Sequence, residues 1–155
     1  MPSLERRYFD SCIFIYVITN HPQHGSMCTE AIRAAEQGQF KLVTSMLTMI
    51  EVIKERSGPH TPSEATQKKI ADFFEHDYVL MVQASRQIML DARQLCWKYG
   101  GINLKGNDAV HLATALYAKC SVLYTYDDTL LKTKEPGLSV ERPQIQVQAH
   151  IPGIT

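Results

Sequence analysis

Several common devices for stability or binding are missing from this 155-residue chain. It has no CxxC pair: Cys12, Cys28, Cys96 and Cys120 are scattered and sit mostly in apolar stretches, where a free thiol behaves as a small hydrophobe. Reduced structural thiols are expected rather than a disulfide framework. Neither sign of charge is in excess, with 16 Lys and Arg against 16 Asp and Glu, so no global field draws nucleic acid or an acidic membrane. An anionic ligand must be attracted locally. No segment approaches the ~20 apolar residues of a membrane span. The start of the chain, with Glu5, Arg6 and Arg7 before a short apolar run, has neither the long apolar region nor the cleavage site of a secretory signal. A cytoplasmic protein with no membrane attachment is expected. Repeats, low-complexity tracts and linkers are absent too, so residues 1–155 are read as a single domain, with 45% hydrophobic residues to build its core.

What is present is a repeated alternation of strand and helix signals. Residues 4–9 read as a short strand, after which Asp10 and Ser11 offer capping side chains to an apolar helix over 12–18. Residues 20–25 form a loop, and a helix over 27–37 stops at Gly38. A buried strand is expected at 40–44, then a helix capped by Ser45 and running from 46 to about 56, with Glu51 in its middle. A polar-faced helix over 63–75 leads to a strand at 78–83. Ser85 caps a helix running to Tyr99, which Gly100 and Gly101 end. After a loop at 102–107, Ala109, Leu112, Ala113 and Leu116 mark a helix that can sit close on a sheet, with Asp108 in its first turn. A strand at 122–126 ends at Asp127, a loop follows through Pro136 and Gly137, and residues 144–148 alternate as an edge strand would. The pattern implies an α/β sandwich around a mainly parallel sheet, and such folds bind ligands beyond the carboxyl ends of their strands.

The acids gather where that rule points. Asp10 and Asp127 each follow a strand, and Asp108 opens a helix whose N-terminus faces the same edge. Glu51 interrupts the apolar run Met49, Ile50, Val52, Ile53, and a carboxylate in such a setting needs a partner. Two carboxylates ~5 Å apart repel by roughly 3 kcal/mol at an effective dielectric of 20, so a cluster of four takes up protons or a cation. An all-oxygen ligand set favours Mg²⁺ or Mn²⁺ over Zn²⁺, which usually recruits His or Cys. A hard ion held there activates water and neutralises an attacked phosphate.

Three stretches carry a family resemblance: Tyr8-Phe9-Asp10-Ser11-Cys12-Ile13-Phe14-Ile15, Val43-Thr44-Ser45-Met46-Leu47-Thr48-Met49-Ile50-Glu51, and Asn107-Asp108-Ala109-Val110-His111-Leu112-Ala113-Thr114-Ala115-Leu116 followed by Val122-Leu123-Tyr124-Thr125-Tyr126-Asp127. In order and spacing the chain resembles the PIN-domain nucleases over nearly its whole length, particularly the VapC-like toxins of bacterial toxin–antitoxin pairs. The resemblance implies a three-layer PIN-like sandwich with a central, mainly parallel sheet flanked by helices. It implies Asp10, Glu51, Asp108 and Asp127 as catalytic metal-binding acids, Ser11 and Thr125 as polar supports, and Mg²⁺ or Mn²⁺ as cofactor. It implies endonucleolytic hydrolysis of RNA by water, leaving a 5′-phosphate, a small antitoxin as partner, and a homodimer. Ser11 and Cys12 stand where many relatives carry Thr and Asn, and Asp128 adjoins Asp127.

Each acid also has a plainer reading. Asp10 and Asp108 can be simple helix-start residues, Asp127 a turn residue, and Glu51 a snorkelling side chain or a partner of Lys54. Their joint occurrence in motif order favours a site. His21, His24 and Cys28 have a spacing suggestive of zinc, but lack a fourth ligand. His111, one turn after Asp108, is better explained as a locally hydrogen-bonded histidine than as a site residue, and Trp97 and Tyr99 as residues packed on the sheet. Lys54, Arg56, Lys105, Lys132 and Lys134 flank the expected acidic rim and steer phosphates only if they cluster there. Two other functions remain in view: an inactive PIN fold that only binds RNA or protein, and a receiver-like phosphoacceptor domain. The latter lacks its acidic pair near the first strand and its lysine on the last.

Overall fold

The computed structural model describes residues 3–55 and 57–145. A five-stranded, wholly parallel sheet has the order β3-β2-β1-β4-β5, formed by Arg6–Phe9, Lys41–Ser45, Val79–Val82, Val122–Tyr124 and Ser139–Glu141 as β1 to β5. The helices are α1 (Ser11–Ile18), α2 (Gly25–Glu36), α3 (Thr48–Glu51), α4 (Glu64–Phe73), α5 (Arg86–Lys98), α6 (Gly106–Tyr117) and α7 (Asp128–Leu131). This is the expected three-layer α/β sandwich.

Period-two alternation along the strands builds its two cores. Tyr8, Val43 and Leu123 face one side, where they join Ile88, Ala92 and Leu95 of α5 and Ala109, Leu112 and Ala113 of α6. Their neighbours Phe9, Leu42 and Tyr124 face the other side, against Ile13, Phe14 and Ile18 of α1, Ala31 and Ala35 of α2 and Ile70 of α4. Both faces of the sheet are covered, so side chains of both alternations are buried towards the carboxyl ends of β1, β2 and β4. Small residues on α6 permit the close approach: Ala109 and Ala115 have no exposed surface.

Local signals placed most element ends. The Ser63 and Ser85 side chains accept from the backbone N–H groups of Thr66 and Ile88, capping α4 and α5. Gly38, with φ at +81°, follows α2 in the left-handed conformation that ends a helix cheaply only for glycine.

Five expectations need correction. The helix expected over 46–56 is a single turn, α3, and Glu51 stands at its end, not its middle. Val52 leaves the helical path and is wholly buried with Phe9, Leu42 and Ile70, so core packing outweighs continuation of the helix. Ser45 lies in β2, although its Oγ still accepts the Leu47 N–H at 3.0 Å. The stretch expected as loop after Asp127 holds α7 and β5; the chain turns through Gly137, and β5 pairs with β4. Gln144 and Ile145 are not in a strand, and the rest of the edge strand expected at 144–148 lies outside the described residues. Trp97 does not pack on the sheet: it is 65% exposed, with the Arg93 guanidinium over its ring.

Candidate active site

The sheet order places β1 beside β4, and the chain leaves these two strands towards opposite faces. The helix after β1 packs with Phe9 and Tyr124, whereas Leu130 in α7, after β4, packs with Tyr8 and Leu123. Strands that diverge in this way open a crevice at their carboxyl ends, and here that crevice is acidic. Asp10, Asp108, Asp127 and Asp128 line one cleft, with Ser11, Tyr16 and Tyr126 also in its walls.

Each acid is held by a different local device. Asp10, 5% exposed, caps α1: its Oδ1 accepts the Ser11 N–H at 2.8 Å, and its Oδ2 accepts the Thr125 hydroxyl at 2.7 Å and the Cys12 thiol at 3.6 Å. Burial and the neighbouring Asp10 charge push the Cys12 thiol well above its usual range, which keeps its proton available for that bond. Asp127 caps α7 by accepting the Leu130 N–H at 2.9 Å, and its own N–H donates to Thr125 Oγ1 at 3.0 Å. Thr125, wholly buried, thus ties two acids from adjacent strands into one frame. Ser11 supports Asp10 chiefly through its backbone, its hydroxyl being 3.5 Å away.

Asp108 stands in the first turn of α6. Burial, then the charges of Asp127 and Asp10, raise its carboxyl pKa to about 6. Glu51 also contributes repulsion there, while His111 opposes it. These couplings place the four acids in one electrostatic neighbourhood. Only three of them line the cleft together with Asp128; Glu51 is turned aside, held by His111 Nε2 at 2.5 Å and by the Asn107 amide at 3.4 Å. Lys54, weighed as its partner, instead reaches the Gly58 carbonyl.

His111 was the residue least legible in advance. It is both a core histidine, 1% exposed, and part of the site. Nε2 donates to the Glu51 carboxylate and stands 3.6 Å from Asp10 Oδ1, so in the neutral ring Nδ1 accepts the Tyr8 hydroxyl at 2.5 Å, whose oxygen also accepts the Ser45 N–H at 3.2 Å. Burial works against a charged imidazole, but the Glu51 hydrogen bond and the Asp10 charge outweigh it, raising the His111 pKa above its usual value. The only advance signal was its position one turn after Asp108 on α6.

Among the described residues no group of three or more His, Cys, Asp or Glu side chains is drawn together closely enough to hold an ion as it stands. The donor set nevertheless suits a hard cation, because it is rich in carboxylate oxygen and so crowded that Asp108 retains its proton unusually well. The basic residues expected to steer phosphates do not line the cleft, and Arg56 lies outside the described residues. A larger cavity is lined by Arg7, Arg33, Tyr124 and Glu141, but Arg7 is already paired with Glu5 and Arg33 with Glu30. It holds none of the acids at the strand switch.

Comparison with known proteins agrees with this architecture. The model of the PIN domain family matches residues 7–136. Solved structures with the same fold include VapC20 from Mycobacterium tuberculosis, a Sarcin-Ricin loop cleaving toxin, at 12% identity and a TM-score of 0.63, covering 79% of this chain and 90% of that one. VapBC2 from Rickettsia felis, bound to a DNA fragment from its promoter, is 17% identical with a TM-score of 0.68, covering 88% and 98%. A toxin–antitoxin complex from Klebsiella pneumoniae is 20% identical with a TM-score of 0.61, covering 85% and 94%. No match was found among curated proteins.

Proposed function

This chain belongs to the PIN domain family, and from that premise we propose that it is a metal-dependent endoribonuclease, the toxin component of a bacterial toxin–antitoxin pair. The observation that carries the reading is the crowding of carboxylates at the β1/β4 switch, expressed in the raised pKa of Asp108.

Asp10, Asp108 and Asp127 would hold Mg²⁺ or Mn²⁺, with Glu51 as the fourth acid. A hard cation so bound acidifies a water and offsets the charge of the attacked phosphate. The protein's own contribution is placement. Thr125 and the Ser11 N–H fix Asp10, the start of α7 fixes Asp127, and His111 sets the resting position of Glu51. Carboxylates fixed in advance would hold the cation where the scissile phosphate arrives, in place of a random encounter with solvent ions. Water attacks phosphorus, the 3′-oxygen leaves, and the products carry 3′-hydroxyl and 5′-phosphate ends.

An antitoxin partner is supported by neighbours that are themselves toxin–antitoxin assemblies. A homodimer and a cytoplasmic setting complete the proposal; no helix among the described residues is long and apolar enough to cross a membrane. The test is hydrolysis of mixed single-stranded RNA with Mg²⁺ or Mn²⁺, with EDTA, and by Asp10→Asn. Cleavage that needs the metal and falls by about two orders of magnitude or more in the variant supports the reading. Equal cleavage by the variant, or RNA binding with no cleavage under any metal, rejects it, the latter in favour of an inactive binding module.

A further inference from the structure

Holding a cation in the acidic cleft requires a side chain to move, because among the described residues no three His, Cys, Asp or Glu side chains stand close enough to share an ion. Three of the four acids have little reason to travel. Asp10 is buried with both oxygens bonded, Asp127 caps α7, and Asp108 already lines the cleft. Glu51 does not line it. This residue ends α3, a single turn after which the backbone leaves the helical path, and its side chain is 22% exposed. A carboxylate on a long, part-exposed side chain at such a place has several staggered positions open to it.

Helix α6 grips Glu51 by both oxygens. His111 Nε2 donates to Oε1 at 2.5 Å and the Asn107 amide donates to Oε2 at 3.4 Å. The two donors are four residues apart, so they share one face of the helix. Only one of them is rigid. The imidazole is buried, packs edge-on against Tyr8, and has Nδ1 committed to the Tyr8 hydroxyl, so it has a single N–H, on Nε2, to offer. That N–H faces two carboxylates, Glu51 Oε1 at 2.5 Å and Asp10 Oδ1 at 3.6 Å. It serves one of them well at a time, since 3.6 Å is beyond a hydrogen bond. With the ring fixed and Asp10 pinned, the position of Glu51 decides which carboxylate is served.

We propose that Asn107 and His111 form a clamp that parks Glu51 outside the cleft of the metal-free protein and releases it towards a bound cation, the His111 N–H then passing to Asp10. This rests on the metal-dependent nuclease reading and adds to it two positioning residues and a conformational step. The N–H has work in both states: at rest it holds Glu51, and with Glu51 gone it braces Asp10. Carboxylates that bind a metal are commonly steadied by an outer hydrogen bond of this kind, which sets their direction. At rest the clamp also keeps a fourth anion among donors instead of among three aspartates. Drawing Glu51 inward becomes favourable only when a cation offsets the crowding there.

The test uses the full metal-free chain and reads cation binding, not cleavage. In calorimetry with Mn²⁺, Asn107→Ala is expected to bind about 2- to 10-fold more tightly, because one hold on Glu51 is gone. Glu51→Ala, which removes the carboxylate itself, should bind at least about tenfold more weakly. Asn107 is exposed in the first turn of α6, where alanine favours the helix, and general damage to the site would weaken binding rather than tighten it. The second measurement needs no substitution at the clamp: the buried His111 ring N–H is followed by NMR in ¹⁵N-labelled protein as Mg²⁺ is added. At saturation its signal should move to the position it has in Mg²⁺-loaded Glu51→Ala, where Asp10 is the acceptor left to it. Mn²⁺ binding by Asn107→Ala that is unchanged or weaker, or a His111 signal that saturating Mg²⁺ leaves in place, overturns the clamp while leaving metal-dependent cleavage standing. Failure of the unsubstituted protein to bind either ion overturns both.

Discussion

Replacing Tyr8 by Phe isolates one oxygen atom at the base of the site. The ring is wholly buried in β1 and packs edge-on against His111 at 5.7 Å and 61°, contacts that Phe retains. The hydroxyl stays protonated because burial, and then the Asp10 charge, raise its pKa well above the usual phenol value. It donates to His111 Nδ1 and accepts from Ser45 N–H, so its loss strands two groups in a dry interior. An unpaired buried donor or acceptor costs about 1–3 kcal/mol, part of which is recovered because the hydroxyl no longer has to be desolvated; the net loss is about 2–4 kcal/mol. At roughly 2–4 °C per kcal/mol for a chain of this size, Tm falls by about 4–16 °C. Urea unfolding should show a lower midpoint with an unchanged slope. A loss below about 0.5 kcal/mol would refute the bridging role of the hydroxyl.

The same variant tests what the bridge does for Glu51. Without the Tyr8 hydroxyl, His111 Nδ1 loses its partner, and the ring that holds the Glu51 carboxylate through Nε2 is no longer fixed from its other side. Tyr8→Phe and Glu51→Ala should therefore be non-additive in stability by about 0.5–3 kcal/mol, although their side chains have no direct hydrogen bond. Additivity within about 0.3 kcal/mol would mean that the imidazole does not couple them.

Three further outcomes follow from the site and its packing. Titrating metal-free protein with Mn²⁺ should raise Tm by an amount set by about 2.7 kcal/mol at a hundredfold excess over Kd, and Asp10→Asn or EDTA should abolish the rise, as checked by calorimetry. Thr125→Val, which removes the hydroxyl shared by Asp10 and Asp127, should cost about 1–3 kcal/mol and lower RNA cleavage at least about tenfold, whereas Thr125→Ser should retain most of both in unfolding and cleavage assays. Val52→Ala should cost about 2–3 kcal/mol in urea unfolding, from two lost methyl groups and the cavity they leave, because Val52 is wholly buried where the chain departs from α3.

Elements with strong local signals were legible in the sequence. The serine caps of α4 and α5, the glycine after α2 and the small-residue stripe of α6 act within a few residues, and all lie where expected. Elements decided by long-range packing were not. The run 49–53 has the composition of a helix, yet Val52 gains more in the core against Phe9 and Leu42 than it would by continuing α3. β5 is three residues long and exists because its backbone pairs with β4, a partner no local window contains. The site divides in the same way. Asp10, Asp108 and Asp127 were visible from their places at element ends, but the ring of His111 reaches residues 103 positions before it in Tyr8 and 60 before it in Glu51, and nothing local announces either.

Capping and the proposed metal binding are compatible demands on the same atoms. An ionised carboxylate offers about four lone-pair sites. Asp127 uses Oδ1 for the Leu130 N–H, and Asp10 divides its main bonds between the Ser11 N–H on one oxygen and the Thr125 hydroxyl on the other. Each cap fixes the direction of its carboxylate without exhausting it. The plain reading of these aspartates as helix-start residues therefore describes how the acids are aimed, and helix starts set against strand ends are an economical way to collect anions that would otherwise separate. A carboxylate on a free loop would swing away from its neighbours; Asp10 and Asp127 cannot do so without uncapping α1 and α7, at about 0.5–2 kcal/mol each.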